Sequence, residues 1–380
     1  MNKSSQKPRR SLRELGIELG TMRPGPDNGL TDVEGVRVGH TTLIEDHPAG
    51  EDADGVRVRT GVTAIWPNSG NIFTDRVIGG SFVLNGAGEL SGLVQVREWG
   101  VIETPILLTN THAVGAVSSA TVEYMTRRFP EVGSADDLMI PLVGECDDSF
   151  LNDIVARAVG RQHVFEALDA ATTGPIEQGN VGGGTGMVSF DLKGGIGTAS
   201  RVVPEGGTTF TLGILVMNNC GRLEDLRVDG VPVGPAVADR LREAPRRPNL
   251  HGSIIVVVGT DAPLMSHQLN RICKRAALGL GRVGSLASHG SGEIIVAFST
   301  ANQVPRRKQP RTFELQALSE AWMDPLYRAT VECTEEAVLN SLCLAETMEG
   351  AGGRTIPAMP LELVQDLVER RRPVEPPETS

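Results

Sequence analysis

The 380-residue chain lacks a basic excess: 36 Lys and Arg against 47 Asp and Glu leave a formal charge of −11. Without surplus cations to displace counterions from phosphates, general nucleic-acid binding is excluded. The basic runs KPRR, APRR, PRRK and ERRRP sit in polar, Pro-rich stretches and read as solvated loops and tails. Cysteine is sparse as well. Cys146, Cys220, Cys273, Cys333 and Cys343 are odd in number and form no CxxC pair, which excludes a disulfide framework and a cysteine zinc site. Free, buried thiols in a reducing compartment are the expectation. The first twenty residues, MNKSSQKPRRSLRELGIELG, hold no apolar leader, and no apolar run reaches the length of a membrane span. A cytoplasmic protein with no membrane partner is expected.

Glycine is plentiful: 45 of 380 residues, about 12% against a usual level of roughly 7%. The glycines gather in GNVGGGTGM (179–187) and DLKGGIGTAS (191–200), where they interrupt apolar segments as turns and close backbone approaches. Apolar runs of strand length stand at 61–67, 105–110, 138–145, 208–219, 253–259 and 293–300. Helical spacing marks 111–129, with Ala113, Val117, Ala120 and Tyr124 on one stripe. It marks 264–281 too, with Leu269, Ile272, Cys273, Ala276 and Leu280, and the longest such segment is 324–350. Strands apolar throughout are buried on both faces, so helices must cover them, and a layered α/β protein follows. Residues 1–25 read as a mobile tail and 26–380 as one domain. The Pro- and Arg-containing segment 223–252 reads as an exposed loop ending immediately before Ser253.

Several residue groups could carry chemistry. Gly252–Ser253 joins that loop to the run SIIVVVG. A serine made N-terminal there would hold a nucleophilic hydroxyl and an amine of pKa near 8 on one residue; taken alone, a Gly-Ser junction before a strand is commonplace. In HGSGEIIVAF, Ser291 and Glu293 are two apart and would share a strand face, with the carboxylate opening an otherwise apolar run. In VGECDDSFLND, Glu145, Asp147, Asp148 and Asp153 cluster after an apolar run. They could meet a cation, a substrate ammonium or nothing. No histidine lies nearby and the spacing fits no EF-hand loop, so no metal is expected. GNVGGGTG has the look of a phosphate loop but lacks its lysine and reads as turns lining a pocket.

Together these stretches resemble a family. LTDVEGVRVGHTTL (30–43), LLTNTHAVG (107–115), FLNDI (150–154), GNVGGGTGM, VDGVPVG (228–234), GSIIVVVGTDAPL (252–264) and SGEIIVAFSTAN (291–302) run in the order seen in the L-aminopeptidase D-Ala-esterase/amidases and the related β-peptidyl aminopeptidases. The resemblance spans about residues 26 to 365. It implies a four-layer αββα sandwich, similar in layering to the N-terminal-nucleophile hydrolases but with different connectivity. It also implies a precursor that cleaves itself between Gly252 and Ser253, giving fragments 1–252 and 253–380.

By the same resemblance Ser253 is the nucleophile. Ser291 and Glu293 assist it by orienting its hydroxyl, while its α-amine takes part in proton transfer. Asn219 lends its side-chain amide to the oxyanion hole, and Glu145 holds the substrate's free ammonium. An N-blocked substrate would leave that carboxylate unpaired. The function implied is a self-processing serine aminopeptidase. It would release small N-terminal residues, D- and β-residues among them, from short peptides, amides or esters. It would need no cofactor and would assemble as a homotetramer. One position departs from the family pattern: Asp147 stands where a hydrogen-bond-donating tyrosine is expected. An ionised aspartate cannot donate and would repel an oxyanion, so weaker amide hydrolysis and a shifted substrate range are expected. Two alternatives stand beside this reading. One is an acyl transferase like the ornithine acetyltransferases, against which Ser253 argues because those use threonine. The other is a non-catalytic relative acting as a binding module.

Overall fold

The computed structural model describes residues 8–47, 55–133, 137–247, 252–306 and 311–371. The chain first forms strands β1 (Arg37–Asp46), β2 (Arg57–Trp66), β3 (Asp75–Gly86), β4 (Leu90–Ser91), β5 (Val101–Ile102), β6 (Ile106–Asn110) and β7 (Leu142–Cys146). A small ribbon, β8 (Val188–Ser189) and β9 (Leu192–Lys193), precedes the long strands β10 (Gly195–Glu205) and β11 (Thr208–Asn218). A second ribbon, β12 (Arg227–Val228) and β13 (Val231–Pro232), is followed by β14 (Gly252–Thr260) and β15 (Ser291–Pro305). A last ribbon pairs β16 (Met348–Glu349) with β17 (Thr355–Ile356). The helices are α1 (Leu93–Trp99), α2 (Val114–Arg128), α3 (Arg161–Asp169), α4 (Gly234–Arg240), α5 (Ser266–Arg282), α6 (Met323–Cys343) and α7 (Leu361–Glu369).

Two mixed sheets result, ordered β1-β2-β6-β7-β4 and β10-β11-β14-β15-β3-β5. Helices α2 and α3 cover the first, α5 and α6 cover the second, and the sheets meet where β7 faces β14. This is the expected αββα layering. The uninterrupted apolar run of β14 follows from its place in the middle. Ile254, Val256 and Val258 pack toward Leu269, Ile272 and Cys273 of α5. Ile255 and Val257 pack into the inter-sheet core with Leu108 and Val143. Both faces are dry, so alternation with polar residues is absent.

Three readings of the sequence are corrected here. Residues 8–25 are packed, with Leu12, Leu15, Ile17 and Leu19 buried. Helix α6 is buried all round from Glu332 to Cys343, and a helix of that kind needs a second cover; the N-terminal segment supplies it. Residues 1–7 of the expected tail lie outside the described residues. The expected loop 223–252 is largely folded, into the β12–β13 ribbon and α4, because Leu223, Leu226, Val228, Val233 and Val237 have a core to enter. Its residues 248–251 lie outside the described residues. Helix α6 also ends at Cys343, short of residue 350, where the chain turns into β16.

Candidate active site

Ser253 enters β14 at its first turn of pairing, between β11 and β15. Its N–H donates to the Asn219 carbonyl at 3.3 Å, and the Asn219 N–H donates back to the Ser253 carbonyl at 3.0 Å. Asn219 thus continues the β11 ladder opposite Ser253, and residues opposite one another share a face. That face looks into the sandwich, as Ile255 and Val257 do. The Ser253 hydroxyl is buried, lies beside the Cys146 thiol without a well-directed hydrogen bond, and has no partner for Oγ. A buried hydroxyl without a partner is costly, which marks it as a group held for use.

Asn219 is fixed at both ends of its amide. Its Oδ1 accepts from the Val188 N–H at 2.8 Å, and its Nδ2 donates to the Asp147 carbonyl at 2.8 Å. One Nδ2 proton remains for another acceptor. Glu145 stands at the end of β7, one residue before Cys146. Its Oε1 accepts from the Glu89 N–H at 2.8 Å and its Oε2 accepts from the Thr111 hydroxyl. Burial pushes its carboxyl up, opposed by those two bonds. A Cβ placed on Gly88 would lie 3.1 Å from Glu145 Oε1 and 3.7 Å from the Cα of Gly292, the β15 residue opposite Ser253. Glycine at 88 keeps that approach open. Beside it a hollow of about 250 Å³ is lined by Gly86, Gly88, Leu90, Leu93, Val94 and Ile294.

Ser291 and Glu293 lie side by side, the Ser291 hydroxyl donating to Glu293 Oε1. Burial pushes the Glu293 carboxyl up, with the Ser291 bond opposing, and its Oε2 has no partner. They do not meet the Ser253 hydroxyl. In the parallel β14–β15 register Glu293 is opposite Ile254 and Ser291 is opposite Gly252, so the pair occupies the other face of the sheet. What adjoins it is the main chain at the Gly252–Ser253 bond: a Cβ on Gly252 would lie 3.4 Å from Ser291 Oγ. On that side a cleft of about 340 Å³ opens, lined by Gly252, Ser288, Ser291, Arg222, Arg246 and Arg247. Arg247 donates to the Asn219 carbonyl at 3.2 Å, and burial pulls its pKa down.

Asp147 is exposed, and its carboxylate accepts from the Ser149 N–H at 2.9 Å. Its main-chain oxygen, not its carboxylate, meets Asn219. The fully buried acid of the cluster is Asp148, pushed by burial up to about 7; Asp153 is only partly buried. Among the described residues no cluster of three or more His, Cys, Asp and Glu could hold a metal ion. No helix among them is long and apolar enough to cross a membrane. Sequence reasoning passed over Thr111, inside the quoted stretch LLTNTHAVG, and Lys193, a lone cation among glycines and apolar residues. The second carries a legible signal, since such a neighbourhood gives a charge no water.

Comparison with known proteins places the chain in a family. The model of "Peptidase family S58" matches residues 28–356. The β-peptidyl aminopeptidase BapA of Sphingosinicella xenopeptidilytica is 42% identical over 372 residues, covering 95% of this chain and 91% of its own. The PH0078 protein of Pyrococcus horikoshii OT3 superposes with a TM-score of 0.88 at 45% identity, covering 95% of this chain and 99% of its own. The L-aminopeptidase D-Ala-esterase/amidase of Ochrobactrum anthropi, a prototype for the serine aminopeptidases and a variant of the Ntn hydrolase fold, superposes at 0.87. It is 39% identical and covers 96% of this chain and 99% of its own.

Proposed function

The chain belongs to peptidase family S58 and is a hydrolase of the serine aminopeptidase type, and on that premise we propose that Ser253 is its nucleophile, freed by self-cleavage after Gly252. The observation that carries the reading is the buried, unpartnered Ser253 hydroxyl on the same sheet face as a twice-anchored Asn219 amide. In the uncut chain the hydroxyl adds to the Gly252 carbonyl carbon. The peptide C–N bond breaks to leave an ester on Ser253 and a free α-amine, and water hydrolyses the ester to a Gly252 carboxylate. The Ser291–Glu293 pair, next to the scissile main chain, then faces the new amine. That placement argues for holding the ammonium or accepting its proton, in place of orienting the hydroxyl as expected from sequence.

In the processed enzyme Ser253 Oγ attacks the substrate carbonyl, and its proton passes to the α-amine and on to the leaving amine. Charge developing on the carbonyl oxygen meets the remaining Nδ2 proton of Asn219, a contact worth about 3 kcal/mol of barrier. Glu145, buried and bonded by two donors, receives the substrate ammonium, and the glycine-floored hollow beside Gly88 admits small residues, D- and β-residues among them. The relatives' names support that substrate class. No cofactor enters these steps. Location in the cytoplasm and assembly as a homotetramer of processed units complete the reading. The test is hydrolysis of alanine, glycine and β-alanine p-nitroanilides beside their N-acetylated forms. Free substrates should be turned over at least about 100-fold faster, and Glu145→Gln should collapse that ratio. Equal turnover of free and blocked substrates overturns the Glu145 assignment.

A further inference from the structure

The ribbon β8–β9 carries a cation that the reaction, as written above, does not use. Lys193 is fully buried, and its ammonium donates to the main-chain carbonyls of Gly184 at 3.3 Å, Met187 at 2.8 Å and Gly194 at 2.6 Å. All three ammonium protons are thereby placed on main-chain carbonyls that flank the β8–β9 ribbon. Desolvation pulls the lysine down to about 7, with the Asp148 carboxylate opposing. An ammonium is a costly way to tie three carbonyls together, since burying a charge is penalised even when it is hydrogen-bonded. The reason for it lies one bond further on.

The Met187 carbonyl and the Val188 N–H belong to the same planar peptide unit. The ammonium acts on its oxygen, and its N–H donates to Asn219 Oδ1. A continuous chain therefore runs from Lys193 Nζ through the Met187–Val188 peptide to the Asn219 amide. In such chains each hydrogen bond strengthens the next, more so in a dry interior. Withdrawing electron density at Oδ1 makes the Nδ2 protons better donors. The far side of the amide is held by the Asp147 carbonyl, so the amide can neither flip nor turn away.

We infer that Lys193 is a positioning residue for the oxyanion step, fixing and polarising the Asn219 side-chain amide through the Met187–Val188 peptide. The inference rests on the reading of Asn219 as an oxyanion donor, and a double-variant cycle separates the two. The variants are Asn219→Ala, Lys193→Met and both together, each checked for cooperative thermal unfolding and assayed on alanine p-nitroanilide. Asn219→Ala should lower kcat by about 100-fold or more; no loss there overturns the oxyanion reading and the Lys193 inference with it. Lys193→Met should lower kcat by roughly tenfold or more with KM within about threefold, and should cost little further in the Asn219→Ala background. The same loss in both backgrounds, a loss carried by KM, or kcat within twofold of wild type overturns the inference alone. Lys193→Gln, which keeps a neutral donor, replaces Lys193→Met in the cycle where the latter does not fold, with a smaller loss of the same pattern expected. For variants that self-cleave too slowly, the half-life of the full-length band gives the same comparison.

Discussion

Asp147 stands where the resemblance implies a hydrogen-bond-donating tyrosine, and its geometry softens the consequence drawn from that expectation. The carboxylate is exposed and bonded to the Ser149 N–H, while the Asp147 carbonyl meets Asn219. The charge is therefore turned from the amide that would meet the oxyanion. Asp147→Asn should change kcat on amide substrates by less than about threefold; a gain above tenfold would show that the carboxylate does repel the transition state. At this scale the sequence was informative in one respect and silent in another. Ser291 and Glu293, two apart on a strand, had to share a face. Which face they share relative to Ser253 depends on the register of β15 against β14, and no local spacing contains a register between strands offset by 39 positions.

Among the elements, the apolar runs within β6, β11 and β14 and the striped helices α2 and α5 were legible. Strands β1, β3 and β10 were not. Only three of the ten residues of β1, Val38, Gly39 and Leu43, are buried. Strand β3 carries Gly79 and Gly80 because α1, β5 and α5 press on it: a Cβ at Gly80 would sit 2.6 Å from Leu269 Cβ. Strand β10 turns Ser200 and Arg201 into buried partners of Asp32, Glu332 and Glu336. Tertiary pairing, unseen locally, makes those polar residues strand-compatible. Strand β1 carries a pH-sensitive group. Burial pulls His40 from 6.5 down to about 4, its Nδ1 meets Thr63 Oγ1 at 2.9 Å, and its Nε2 has no partner. Between those two pH values the unfolded chain binds a proton that the folded chain refuses, so stability rises with pH across the window and is lost as pH falls through it. The contribution is at most about 3 kcal/mol. Denaturant unfolding at pH 7 and pH 4 checks it: His40→Asn should lose less stability than wild type over that interval, and parallel losses would contradict the assignment.

For the whole molecule, the layering was readable because a two-sided apolar strand requires cover on both sides. What holds a processed molecule together was not. The segment from Ser253 onward contributes β14 and β15, and these lie between β11 and β3 of the segment before it. Helix α6 adds Glu332 and Glu336, which hold Arg201 at 3.0 and 2.6 Å, and Glu336 holds Arg13 at 2.7 Å. Cutting after Gly252 would therefore free an amine without freeing a fragment. The central claim is that cut, and the direct measurement is intact mass under denaturing conditions beside native size-exclusion chromatography. The account predicts that wild-type protein gives two chains, 1–252 and 253–380, the second starting at Ser253, which co-elute until denatured. Ser253→Ala should remain one chain of 40.4 kDa. A wild-type chain that stays whole after prolonged incubation would contradict it.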